Sequence, residues 1–188
     1  MPIAEAFCTN TIITVSPTTR PWVNKDYTYI GSSSANSFII NGFQTSSLGY
    51  NYVDLSFTSV TSSSELRANT FNFSLPGGSN IDGVELILVK PALPELIQGS
   101  LIDENIRMII GGVVSGDNKA SPLPWPNPYG LFTYGSPTDL WGNSLSRNDI
   151  NNTLFGFTIK VKIDPSRIGE LENTRGVINQ LLCKVYYT

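Results

Sequence analysis

The chain contains no histidine among its 188 residues. That absence removes Ser-His-Asp and Cys-His hydrolases, histidine-ligated zinc and the usual general base near neutral pH. Cysteine is almost as scarce. Cys8 and Cys183 stand near opposite ends, with no CxxC pair and no third member, so no metal or redox motif is present. Two free, partly buried thiols are expected in preference to a disulfide. Charged residues make up only 14 % of the chain, against a usual share of about 25 %. The net charge is −3, and no basic stripe of the kind that tracks a phosphate backbone occurs, so no nucleic-acid partner is expected. Lys160 and Lys162 are neighbours on one face, but two lysines make no phosphate track. Long apolar runs are missing too. None approaches the ~20 residues of a membrane-spanning helix, so no membrane partner is expected. The opening MPIAEAFCTN has no basic segment leading into an apolar one, so no signal peptide is expected.

What is present is alternation. In FGFTIKVKI, Phe155, Phe157, Ile159, Val161 and Ile163 share one face, and Gly156, Thr158, Lys160 and Lys162 share the other. A period of two over nine residues predicts a strand with one buried face. The closing VINQLLCKVYYT places Leu181, Cys183, Val185 and Tyr187 together. NYVDLSF and FNFSL alternate in the same way, and DGVELILVK and ENIRMIIGG read as strands buried on one or both faces. Turn chemistry separates these runs. Pro76, Gly77 and Gly78 follow one strand, and the next is expected from about Val84. Helical period is nearly absent. SRNDINNTLFG predicts one short helical turn with Ser146 as its N-cap. Many short strands with regular turns predict a single all-β domain, an antiparallel β-sandwich of jelly-roll type over residues 21–188. Residues 1–20 form an extended N-terminal segment, either an edge strand of the sandwich or an arm laid on a neighbouring subunit.

Candidate chemistry is sparse. TYGSPTDLWG, residues 133–142, sets Asp139 between Tyr134 and Trp141. A glycosidase would need two carboxylates at a set separation. Asp82, Asp103 and Glu104 are available, but nothing in the sequence brings them together. The stretch therefore reads as a structural loop. Trp141 and Leu140 close one end of the core, Tyr134 is buried, and Asp139 binds loop backbone. Asp103-Glu104-Asn105 and Gly116-Asp117-Asn118 lack the spacing of a calcium loop and read as turn residues. Gly111-Gly112 lacks the Lys-Ser or Lys-Thr of a phosphate loop. SPLPWPNPYG, residues 121–130, holds four prolines and cannot be a helix or a central strand. It predicts an extended surface loop on which Trp125 and Tyr129 are exposed for a partner contact. Ile3, Phe7, Ile12 and Ile13 of the N-terminal segment are the other candidate partner contacts. No catalytic, cofactor or metal residue is assigned, no cofactor is expected, and the chain is expected not to be an enzyme.

Taken in succession, FNFSLPGGSNIDGVELILV, the Gly-Asp-Asn-Lys turn, TYGSPTDLWG, DINNTLFGFTIKV and the closing VYYT resemble a β-sandwich domain common among virion proteins of tailed phages. The likeness covers about residues 65–188, with a weaker echo at PWVNKDYTYIGSSS, residues 21–34. It departs at SPLPWPNPYG and at DPSRIGELENTRG, residues 164–176. The resemblance implies a capsid decoration or cement protein on the outer surface of the shell. Its partners would be the major capsid protein and copies of itself, with a trimer suggested by the analogy alone. A tail fibre or appendage domain that holds a host-surface glycan through Trp125 and Tyr129 is the alternative.

Overall fold

The computed structural model describes residues 1–8, 10–14, 23–25, 37–40, 43–46, 50–56, 61–90, 101–125, 130–167, 173–178 and 180–188. In chain order the elements are β1 (Ile3–Phe7), β2 (Asn10–Thr14), β3 (Val23–Lys25), β4 (Ser37–Ile40), β5 (Phe43–Ser46), β6 (Tyr50–Ser56), β7 (Glu65–Asn69), β8 (Ile81–Lys90), β9 (Leu101–Ile110), β10 (Val113–Ser115), β11 (Gly130–Ser136), α1 (Arg147–Ile150), β12 (Gly156–Ile163), β13 (Asn173–Ile178) and β14 (Gln180–Tyr187). Two antiparallel sheets pack face to face, one ordered β1-β14-β8-β11 and the other β10-β9-β12-β7-β2. Strands β13-β6-β3 form a three-stranded sheet, and β4 and β5 a hairpin pair. The chain changes sheet between β1 and β2, β7 and β8, β8 and β9, β10 and β11, and β11 and β12, in the jelly-roll manner. The expected all-β antiparallel sandwich is the observed architecture.

The core follows from the period of two. Phe157, Ile159, Val161 and Ile163 of β12 face inward and are buried. Leu181, Cys183 and Val185 of β14 meet them from the other sheet, paired with Leu88, Leu86 and Val84 of β8. Ile87, Val89 and Leu182, on the opposite face of the same strands, are buried as well. Strand β8 is thus covered on both faces, which suits its unbroken Ile, Val and Leu content. Cys8 and Cys183 are both buried and both free. Burial, with Cys8 and Glu85 close by, pushes the Cys183 thiol well above its ordinary range.

The N-terminal segment is an edge strand twice over. β1 pairs with β14, and two residues later β2 pairs with β7, so one continuous stretch closes an edge of each sheet. Three sequence expectations need correction. FNFSL is not a paired strand, although Phe71, Phe73 and Leu75 are buried and alternate with exposed Asn72 and Ser74. Thr70 and Asn72 adopt left-handed φ values of 59° and 57°. That conformation carries the chain away from the ladder while its aromatics still fall into the core against Phe155 and Phe157. Strand β8 starts at Ile81 rather than near Val84. Asp103-Glu104-Asn105 is no turn but the middle of β9. The short helix is as expected: Ser146 caps α1, and Asp149 completes a reciprocal capping box.

Gly156 opens β12 where the sheet leaves no room for a side chain. A Cβ there would lie 2.0 Å from the Ala68 carbonyl oxygen and 2.9 Å from the Asn69 Cα. Gly156→Ala is expected to destabilise the fold by about 1–3 kcal/mol through forced backbone displacement. Urea unfolding of the two proteins measures it, and an unchanged midpoint would show that β7 yields freely.

Candidate functional site

The most unusual polar feature is a carboxylate in the core. On β9, Ile106 and Met108 face inward opposite Ile159 and Phe157. Simple alternation would then turn Asp103 outward. A bulge intervenes, because Lys160 pairs with Asn105 while Val161 pairs with Asp103, leaving Glu104 as the extra residue. A bulge shifts the phase of every side chain beyond it. Asp103 therefore points inward beside Leu101 and is 5 % exposed.

Three donors meet it there. Tyr134 on β11, in the opposite sheet, donates its hydroxyl to Oδ2 at 2.7 Å. Trp125 donates its indole N–H to Oδ1 at 2.8 Å, and the Ser121 amide reaches Oδ2 at 3.1 Å. A buried carboxylate survives only when its oxygens are so satisfied. Burial, then the charge and hydrogen bond of Asp103, push the Tyr134 phenol far above its ordinary range. Trp125 also packs against Phe132, with ring centroids 6.5 Å apart.

A second knot is built from TYGSPTDLWG itself. Trp141 is 0 % exposed and adopts a left-handed φ of 57°. Its indole N–H donates to the Val84 carbonyl at 2.9 Å, and its ring lies 5.2 Å from that of Phe157. Gly135, at φ 83°, makes the approach feasible, since a Cβ there would stand 2.6 Å from the indole nitrogen. Asp139 accepts the Trp141 amide at 2.7 Å and pairs with Lys119 at 2.8 Å. Burial pushes the Asp139 pKa up, but the Lys119 hydrogen bond, the Trp141 amide and the Lys119 charge outweigh it. The carboxyl is held below its ordinary value. The Asp139 hydrogen bond, against the opposing effect of burial, holds the Lys119 ammonium above its own.

Ile3 on β1 is 49 % exposed, and Phe7 is half-buried. Ile12 and Ile13 occupy β2 at the register of Arg67 and Leu66. Tyr129, like Trp22, lies outside the described residues. Trp125 requires a correction. Expected on an exposed loop, it is only 8 % exposed, because the segment after Ser121 folds back along β9 and the Trp125 amide bonds the Leu101 carbonyl at 2.7 Å. An open cleft of about 470 Å³ lies elsewhere, lined by Ser79, Asn80, Leu140, Ser144, Arg147 and Asn148 among others. Among the described residues no cluster of cysteine, aspartate and glutamate is arranged to hold a metal ion.

No sequence signal marks Asp103 as a site. Apolar residues occupy both phases at the two ends of LIDENIRMII, Leu101 with Ile102 and Ile109 with Ile110, so the bulge at Glu104 is visible only in the pairing with β12.

No protein-family model matches the chain, and no curated protein matches it. A solved structure similar to it is that of a Stig cyclase, Fisc from Fischerella sp. TAU, in complex with (3Z)-3-(1-methyl-2-pyrrolidinylidene)-3H-indole. The identity is 12 % and the TM-score 0.39, over 96 % of this chain and 98 % of that one. The expectation that the chain is not an enzyme is withdrawn; the protein in that solved structure is a cyclase. The physical reason lies in the inference from absent histidine, which removes only imidazole chemistry. Carboxylates and phenols also serve as general acids and bases. At this TM-score the likeness carries no argument for a particular activity.

Asp103→Ala would leave the Trp125 and Tyr134 donors without this acceptor, and a loss of roughly 3 kcal/mol is expected. Asp103→Asn, which keeps an oxygen, should lose less. Denaturant unfolding of both variants orders them, and equal loss would refute the hydrogen-bond account.

Asp139 gives a pH signature. Its folded value is depressed, so its stabilisation is present above the unfolded value of about 3.8 and is lost as pH falls through the folded value. Asp139→Asn is expected to cost about 1–2 kcal/mol at neutral pH and to remove that part of the acid-induced loss. Thermal unfolding from pH 7 down to pH 2 tests it, and parallel curves for the two proteins would contradict the assignment.

Proposed function

We propose that this chain is a virion structural protein of a tailed phage, a capsid decoration or cement protein seated on the outer shell. Its partners are the major capsid protein and copies of itself. The observation that carries the reading is the use to which TYGSPTDLWG is put. Trp141, Tyr134 and Asp139, the residues that give the phage-like motif its character, are spent on holding the sandwich together. Trp141 bonds Val84, Asp139 bonds Trp141 and Lys119, and Tyr134 bonds Asp103. A folding element of this kind suits a domain type reused in different virion parts. The low charge of the chain, 14 % of residues, suits broad contact with a protein lattice.

A second reading, an appendage domain that binds a host-surface glycan, is favoured by the open cleft of hydroxyl, amide and guanidinium groups between Ser79 and Asn148. Trp125 no longer supports it, being committed to Asp103.

Quantitative peptide mass spectrometry of purified virions separates the two. A copy number comparable to the major capsid protein is the expected result. A number far below it would overturn the decoration reading in favour of an appendage, and absence from virions would overturn both.

A further inference from the structure

The outer edge of β1 is a hydrogen-bonding surface that fits a second copy of itself. In an antiparallel pair, residues alternate between those that exchange backbone bonds with the neighbour and those that point away. The Cys8 amide bonds the Leu181 carbonyl at 3.0 Å, and the Tyr187 amide bonds the Pro2 carbonyl at 3.3 Å. With the register Ile3↔Tyr186 to Phe7↔Leu182, the even-numbered residues Pro2, Ala4, Ala6 and Cys8 serve β14. Ile3, Glu5 and Phe7 therefore aim their N–H and C=O groups away from the sheet. Strand β1 is terminal in its sheet order, and no strand among the described residues takes up those groups.

Protected edges carry an inserted proline, a lysine or a bulge. This edge has no proline, lysine or bulge within Ile3–Phe7, its one charge is Glu5, and its register on β14 is unbroken. It also shows apolar side chains, Ile3 at 49 % and Met1 at 63 % exposure.

The geometry points to a two-fold dimer in which β1 pairs antiparallel with β1 of a second copy, with the axis at Glu5. That register is self-complementary. Glu5 faces the partner's Glu5, and Ile3 faces the partner's Phe7, so each outward N–H meets an outward C=O and none is left over. An axis at Ala4 or Ala6 also pairs outward groups, but it sets Glu5 opposite Ile3 or Phe7 and breaks the apolar row, whereas an axis between two residues sets outward groups against inward ones and matches nothing. Ile3 and Phe7 lie on the same outer face as Tyr186 and Leu182, so the apolar row of one copy continues into the other. The unfavourable contact is Glu5 against Glu5, since like charges directly opposite repel. Each carboxylate carries its own counter-charge, the Lys184 ammonium at 3.0 Å. An isologous interface of this kind closes at two copies, in place of the trimer drawn from the phage analogy. It stands whether or not the protein is a virion component.

Sedimentation equilibrium of the full chain from micromolar to submillimolar concentration tests the dimer, together with amide hydrogen exchange. The expected result is a monomer–dimer equilibrium in which the Ile3, Glu5 and Phe7 amides gain protection as the dimer fills. Glu5→Pro removes an outward N–H and no bond to β14, and should weaken the dimer about thirtyfold by deleting two symmetric hydrogen bonds. Glu5→Gln removes the like-charge contact and should tighten it. Ile3→Lys, a conventional edge-protecting change, should weaken it even if Glu5→Pro perturbs folding. A chain that stays monomeric throughout overturns the proposal. So does a dimer indifferent to Glu5→Gln and Ile3→Lys, or one in which those three amides exchange freely.

Discussion

The sandwich turns on a carboxylate held between its two sheets. Asp103 reaches the core only because β9 carries a bulge at Glu104. Once inside, it must be satisfied, and the partners that satisfy it come from elsewhere. Tyr134 reaches across from the opposite sheet, and Trp125 and Ser121 from the segment that folds along β9. A single buried charge thus constrains the spacing of the sheets, the rotamer of Tyr134 and the path of a proline-rich loop. Each partner alone contributes modestly in net terms, but leaving any of them unmade is costly.

The second constraint is the tight fit around Trp141. Its ring spans from the Val84 carbonyl of one sheet to Phe157 of the other. Gly135 yields the space for it, and Gly116 lies against the Trp141 carbonyl so closely that a Cβ would come within 2.1 Å. Asp139 and Lys119 then pin the loop from outside. The aromatics and acid that invite a reading as a ligand site are thereby occupied. Conspicuous loop residues can be explained by the backbone groups they satisfy before a ligand is invoked. The Asp103 pocket makes the complementary point. An acid that looks like a turn residue in the sequence is the most deeply placed carboxylate among the described residues.

Strand identity was legible because period two survives in a single sequence. The inward rows of β12 and β14, the cap at Ser146 and the absence of long helices can all be read without coordinates. Phe71, Phe73 and Leu75 show the limit of that reading. Their alternation predicts burial correctly, yet not hydrogen bonding, because side-chain period reports which way residues point and not whether a neighbouring strand is there. The same limit explains Trp125. Prolines on both sides exclude a helix or a central strand, but nothing local reveals an acceptor twenty-two residues upstream.

The class of fold, the buried rows and the exclusion of imidazole chemistry follow from composition and local period alone. Which polar groups are enclosed, and with whom they pair, follows from the packing of distant segments. Asp103 and Tyr134 are thirty-one residues apart, and Trp141 and Val84 are fifty-seven. Only the packing of one sheet on the other brings such groups within hydrogen-bonding distance. The outward edge of β1 belongs to the same class of fact. Alternation says which side chains of Ile3–Phe7 share a face, but only the pairing with β14 decides which backbone groups are left facing outward.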